Sequence, residues 1–157
     1  MTAILFVCLG NICRSPTAEA VFTRLRDEAG LSDRVHVDSC GTGDWHVGQA
    51  PDRRSIQAAS ARGYAMTHLR ARQFTPADFN RFSHILAMDN ANLQVLRTLC
   101  PDDYPGTLKR LLDFAGPESP DEVPDPYYGG VQGFDRVIDL VELGCQGLLE
   151  VLVRGRH

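Results

Sequence analysis

The chain has no apolar run approaching the roughly 20 residues that a membrane-crossing helix needs, which argues against a helical span. Its apolar start, Ala3-Ile4-Leu5-Phe6-Val7, lacks a basic leading segment and a small-residue cleavage site, so a strand is expected there rather than a signal peptide. Positive charge is in short supply: 16 Lys and Arg against 20 Asp and Glu leave a net charge of −4. That balance speaks against general binding to nucleic acid or to a membrane surface. An anionic ligand must instead be met by a local positive site.

Repeats, low-complexity tracts and linkers are also missing, so residues 1–157 are expected to form one domain. A chain of that length buries roughly two-thirds of its unfolded surface. The five cysteines (Cys8, Cys13, Cys40, Cys100 and Cys145) are odd in number and scattered. Secreted disulfide scaffolds are denser and usually even, so free thiols in a reducing cytoplasm are expected. His36, His46, His68 and His84 have no metal-binding spacing, and neither a metal nor a cofactor is expected. The G-x4-G-K-[ST] pattern of nucleotide-binding loops is absent as well.

What is present is concentrated in Val7 to Pro16. A buried strand runs into a tight loop, and Ser15-Pro16 then opens a helix, Ser15 being placed to cap it and Pro16 to occupy its first position. Strand, loop and helix in that order aim backbone N–H groups and the positive end of a helix dipole at one spot. Cys8 and Arg14, five residues apart, flank that spot. The thiolate of a cysteine is its nucleophilic form, and N–H donors, Arg14 and the Ser15 hydroxyl all favour the anion. A cation at a helix start opposes the dipole unless an anion is present, so Arg14 itself points to a bound anion. Its planar fork suits two phosphoryl oxygens in a way that lysine does not. Gly10 and Asn11 both tolerate the left-handed backbone that an anion nest requires.

The rest of the chain alternates strands with helices. Helices are expected from about Pro16 to Ala29, from Asp52 to Arg62, after Asp89 with Leu93, Val95, Leu96 and Leu99 on its apolar face, and from Phe134 to about Val153. Further strands are expected at Val35–Ser39, at Phe82–Met88 and within Leu108–Phe114. Gly144 and Gly147 weaken the last helix by roughly 1 kcal/mol each and so mark a close approach by a neighbour. Alternation of this kind implies an α/β fold, a parallel sheet with helices on both faces, with ligands bound beyond the carboxyl ends of the strands.

Cys8-Leu9-Gly10-Asn11-Ile12-Cys13-Arg14-Ser15-Pro16 resembles the signature loop of the low-molecular-weight protein tyrosine phosphatases. Asp38-Ser39-Cys40-Gly41-Thr42, Met88-Asp89 with Asn92, and Asp125-Pro126-Tyr127-Tyr128 follow in the family's order across nearly the whole chain. The resemblance implies a three-layer sandwich with a four-stranded parallel sheet of order 2-1-3-4. It also implies metal-independent hydrolysis of phosphotyrosine in proteins, with Cys8 as nucleophile, Arg14 as phosphate clamp and Asp125 as general acid and base. Inorganic phosphate or another oxyanion would then be product or inhibitor. The backbone from Leu9 to Ser15 (Leu9, Gly10, Asn11, Ile12, Cys13, Arg14, Ser15) would bind phosphate, and Asn11, Ser15 and Ser39 would brace the loop. Leu9, Ile12, Trp45, Tyr127 and Tyr128 would wall the aromatic ring, and either tyrosine could be a site of modification or a plain lid residue.

Plainer readings stand beside these. Cys8 could be a small hydrophobe ending a buried strand. Gly10-Asn11 could be a simple turn. Glu118, Asp121 and Glu122 share an acidic loop with Asp125, and only the resemblance singles out Asp125. Glu19, Asp89 and Asn92 match family positions around the loop, yet both acids also suit helix starts. Cys13 is expected to close a disulfide with Cys8 on oxidation, which would shield the nucleophile from over-oxidation. Arsenate reduction on the same fold needs a relay of extra cysteines, and none lies between Cys40 and Cys100. Phosphoarginine hydrolysis is a further alternative, but relatives with that preference carry a small polar residue where Ile12 stands, and Ile12 instead favours an apolar aromatic wall. A non-catalytic phosphotyrosine-binding module finds no support in the residues, all the expected catalytic groups being present.

Overall fold

Strand β1, Thr2–Cys8, sends its side chains alternately into two apolar layers, and this alternation builds the molecule. The computed structural model describes residues 2–127 and 129–155. Ile4, Phe6 and Cys8 join one layer, together with Ala18, Val21 and Phe22 of helix α1 (Arg14–Glu28). Ala3, Leu5 and Val7 join the opposite layer. Both faces are covered, which is why the strand reads as continuously apolar rather than alternating.

Strand β2 (Val35–Gly41) follows α1, then α2 (Arg53–Ala61) and a four-residue helix α3 (Asp78–Arg81). Next come β3 (His84–Ala87), α4 (Asn90–Leu99), β4 (Thr107–Arg110), a 3₁₀ turn at Leu111–Phe114, and the long helix α5 (Val131–Arg154). The four strands are parallel in the order β2-β1-β3-β4. Helices α1 and α5 cover one face; Phe79 of α3 and Leu93 and Leu96 of α4 belong to the other. The result is a three-layer α/β sandwich of the expected strand order. Among the described residues no helix is long and apolar enough to cross a membrane.

Several element ends differ from expectation for local reasons. Helix α1 begins two residues early: Cys13 is its N-cap without a side-chain hydrogen bond, and Ser15 lies inside the helix. The Ser15 hydroxyl is occupied elsewhere, against Cys8 Sγ and the Cys40 carbonyl. Pro16 therefore sits third in the first turn, where no N–H is needed. The expected cap at Asp89 is present, its side chain accepting the Asn92 N–H, and Asp52, near which a helix is expected to begin, caps α2 by accepting the Arg54 N–H. On α4, Leu93 and Leu96 are buried while Val95 and Leu99 are exposed. The apolar run after β4 coils instead of extending, because the Asp113 carboxylate accepts the Arg110 N–H and closes the 3₁₀ turn.

The two glycines of α5 carry the close approach expected of them. A Cβ at Gly144 would lie 2.7 Å from Leu111 Cγ, and one at Gly147 would overlap the Phe114 carbonyl oxygen. Helix α5 thereby packs tightly on the 3₁₀ turn from which the long acidic loop departs.

Candidate active site

The carboxyl ends of β1 and β2 meet at a loop, residues 9–13, that turns into α1. Cys8 is the last residue of β1 and pairs in register with Gly41 of β2. Its Sγ receives the Asn11 N–H at 3.2 Å and lies 2.9 Å from the Ser15 hydroxyl. Asn11 is the only non-glycine residue with a positive φ among those described, at 57°. Its amide nitrogen donates to Ser15 (2.9 Å) and Ser39 (3.0 Å), while its carbonyl oxygen accepts the Arg72 N–H (3.0 Å). These buried bonds hold a sparsely populated conformation that would otherwise relax.

Of the two residues expected to be left-handed, only Asn11 is; Gly10 has another reason to lack a side chain. A Cβ on Gly10 would stand 3.0 Å from the His46 ring. Gly41 is confined more severely, since a Cβ there would come within 2.7 Å of the Leu9 carbonyl oxygen and 3.1 Å of the Asn11 nitrogen. The loop is further pinned by N–H donations from Thr42 to Cys8, from Gly43 to Leu9 and from Asp52 to Ile12, at 2.9, 2.9 and 2.8 Å.

Arg14 is 3% exposed. Its Nη1 donates to Asp89 at 2.6 Å and to the Val123 carbonyl at 3.0 Å, and its Nη2 lies 3.7 Å from Asp125 Oδ2. Burial alone would make the guanidinium less basic. The neighbouring Cys8, the hydrogen bond to Asp89 and the charges of Asp89 and Asp125 outweigh it, and the pKa rises. The cation is thus fixed in place and permanently charged.

Asp125 approaches from the opposite side. Its carboxylate is 42% exposed, with Oδ1 accepting the Tyr127 N–H at 3.0 Å. Glu118, Asp121 and Glu122 are all exposed, and the latter two turn to Arg110 and to the Asn90 N–H. Only Asp125 of this acidic loop reaches the cleft.

Between these groups lies a cleft of about 390 Å³ lined by Cys8, Leu9, Gly10, Ile12, Cys13, Arg14, Trp45, His46, Asp125 and Tyr127. An aromatic ring with a charged head fits such a volume. Trp45 is 67% exposed and Leu9 44% exposed, so that side of the cleft is an open apolar rim. Tyr128, expected as a wall, lies outside the described residues. Ser39 and Ser15 both bond to Asn11, and Ser39 donates onward to Glu19 at 2.7 Å. Burial, ahead of the other influences, raises the Glu19 carboxyl to about 7 and the Cys13 thiol to about 12. All five cysteines are unpaired in the structure. Among the described residues no cluster of His, Cys, Asp or Glu is arranged to hold a metal ion.

Four participants escape sequence reasoning. Arg72 grips Asp78, which is wholly buried, while its own N–H supports Asn11. His46, with no metal spacing to recommend it, lines the cleft and bonds Gln49. Gly41 gives the loop its room, and Arg54 lies beside Tyr127. Only Gly41 leaves a trace in the sequence, as part of a glycine-rich turn after a strand.

The chain matches the family model described as low molecular weight phosphotyrosine protein phosphatase over residues 3–157. A low molecular weight protein-tyrosine-phosphatase of Streptomyces coelicolor is 42% identical, across 98% of this chain and 96% of its own. A protein tyrosine phosphatase from Entamoeba histolytica, solved with Hepes in its active site, is similar over 100% of both chains, with a TM-score of 0.94 and 41% identity. A Drosophila arginine phosphatase shares the fold at a TM-score of 0.89 and 32% identity, over 97% of this chain and 98% of its own.

Proposed function

The chain belongs to the low molecular weight phosphotyrosine protein phosphatase family, and from that premise we propose that it hydrolyses phosphotyrosine in proteins through a cysteinyl-phosphate on Cys8. The observation that carries this reading is the thiol of Cys8, flanked by the Asn11 N–H and the Ser15 hydroxyl at the start of α1. In the first step the sulfur forms a bond to phosphorus as the P–O bond to the tyrosine breaks. Protonated Asp125, 3.7 Å from the clamp, gives its proton to the departing phenolate. In the second step water attacks phosphorus and Asp125 takes its proton. The S–P bond breaks, releasing inorganic phosphate and restoring the thiolate.

Arg14 and the N–H groups from Leu9 to Ser15 hold the three equatorial oxygens in both steps. Such donors act by being in place before charge develops, and Asp89 and the Val123 carbonyl leave Arg14 little freedom to be elsewhere. Leu9, Ile12, Trp45 and Tyr127 flank the ring, and this apolar and aromatic lining favours a phenyl ester over a serine ester. Ile12 at the cleft wall suits an apolar ring rather than the cation of phosphoarginine. The Entamoeba relative's Hepes, a sulfonate, accords with an oxyanion cradle. We assign no metal or cofactor to either step. The whole chain acts as one domain in this reading, and its free thiols suit a reducing cytoplasm.

Cys13 lines the same cleft as Cys8, which places it to act as resolving partner in a Cys8–Cys13 disulfide, while the burial that keeps its thiol protonated slows that attack. Mass spectrometry after mild peroxide checks for that linkage. The central test is Cys8→Ser. Turnover of an aryl phosphate should fall by roughly four orders of magnitude or more while phosphate binding persists. Retained turnover would refute the reading.

A further inference from the structure

Arg54 has no place in the chemistry above, yet it stands where three parts of the active site join. Its Nε and Nη2 donate to the two Asp52 carboxylate oxygens at 3.1 and 3.0 Å, and Nη2 also donates to the Tyr127 carbonyl at 2.9 Å. The guanidinium carbon lies 4.6 Å from the Phe134 ring centroid and 5.6 Å from that of Tyr127. Asp52 in turn donates its N–H to the Ile12 carbonyl of the phosphate loop at 2.8 Å. On the other side the Tyr127 N–H holds Asp125 Oδ1 at 3.0 Å, leaving Oδ2 as the oxygen nearer Arg14.

We propose that Arg54 is a positioning residue for proton donation: through Asp52 and Tyr127 it ties the loop carrying Asp125 to the loop carrying Cys8. The connection runs Ile12, Asp52, Arg54, Tyr127, Asp125, every link a hydrogen bond given above. Arg54 and Tyr127 are 73 residues apart in sequence, so no local propensity enforces their meeting. The planar fork is essential to the role. One face of it grips a carboxylate while an outer N–H reaches a carbonyl and the plane lies near two rings. A lysine ammonium on its flexible stem cannot make all of these at once. Because proton transfer is sensitive to misplacement, a loosened Asp125 acts as a poorer acid even though the residue is still present.

This inference rests on Asp125 being the proton donor, and the experiment separates the two. The reading is kcat/KM over a series of aryl phosphates, from p-nitrophenyl phosphate, whose leaving group departs easily, to phenyl phosphate, whose leaving group needs a proton. Arg54→Ala is expected to lower kcat/KM for phenyl phosphate about 10-fold more than for p-nitrophenyl phosphate, with Arg54→Lys failing to restore it. In an Asp125→Ala background, Arg54→Ala should add little further slope. Equal losses across the series, a change confined to KM, or full rescue by lysine would overturn the inference. Should Asp125→Ala itself leave the series flat, the assignment of Asp125 falls, and the inference with it. Asp52→Asn keeps the helix cap while weakening the ion pair. It should show a smaller change of the same kind, and it carries the test, with Arg54→Lys, where Arg54→Ala does not fold.

Discussion

Two loops face each other across the cleft, and they are held by different means. Residues 9–13 are short and largely buried, and are bonded at nearly every turn to β2, to α2 and to the Arg72 segment. The acid loop, described over residues 115–127, is long and mostly exposed. Its attachments include Val123, fully buried, which donates to the Met88 carbonyl and accepts from Arg14, Asp121 and Glu122, which meet Arg110 and the Asn90 N–H, and Tyr127, whose carbonyl meets Arg54. On the proposed mechanism, the difference follows from the work each loop has. Stabilising an oxyanion needs several donors fixed together, so any slack costs all of them at once. Protonating a leaving group needs one carboxyl that admits a large substrate and then lets the product escape. A loop fastened at both flanks and open between them meets that need.

If this contrast is right, damage to the two loops should differ in kind. Asp125→Asn should lower kcat/KM for phenyl phosphate by about 10²-fold, with an unchanged thermal melt, because the carboxylate is exposed and supports little structure. A lowered melting temperature would mean that the acid loop is as structural as its partner. Asn11→Ala should do the reverse in emphasis. It removes two donors and one acceptor and leaves a β-carbon in a left-handed backbone, for a loss of about 2–3 kcal/mol in denaturant unfolding, with a weaker effect on catalysis. Unchanged stability would remove the argument that residues 9–13 are rigid by construction.

The smallest effect concerns the support behind the phosphate loop. Burial raises the Glu19 carboxyl to about 7 from an ordinary 4.5. A carboxyl that holds its proton better when folded contributes stability that is complete below about pH 4.5 and is lost as pH rises through about 7. Glu19→Gln should flatten that part of the stability curve, as measured by urea unfolding at several pH values. A curve that keeps its slope would show that Glu19 titrates as an ordinary carboxyl.

The stretch from Val7 to Pro16 discloses its geometry because everything in it is local: an apolar run ends, a tolerant Gly-Asn follows, and a helix opens within one turn. The glycines of α5 were readable for a related reason, since a helix weakened twice on one face needs a neighbour close by. Helix α3 was not readable, because four residues show no periodicity. Ser15 misled for a subtler reason. Its hydroxyl has the chemistry of a cap, but Cys8 and Cys40, neither of them local to the helix, claim it first.

Sequence by itself determined the strand–loop–helix that places a thiol at a dipole's positive end, the alternation that makes a parallel sheet, and the cap at Asp89. Each depends on residues within a turn or two of one another. Tertiary structure alone decided which acid meets Arg14 from across the cleft, which backbone N–H supports Asn11, and which cation joins Asp52 to Tyr127. Those pairs lie 61 to 111 residues apart. Hydrogen bonds and ion pairs have no periodicity that a linear chain could display. Only the packing of both layers on β1 brings their partners within reach.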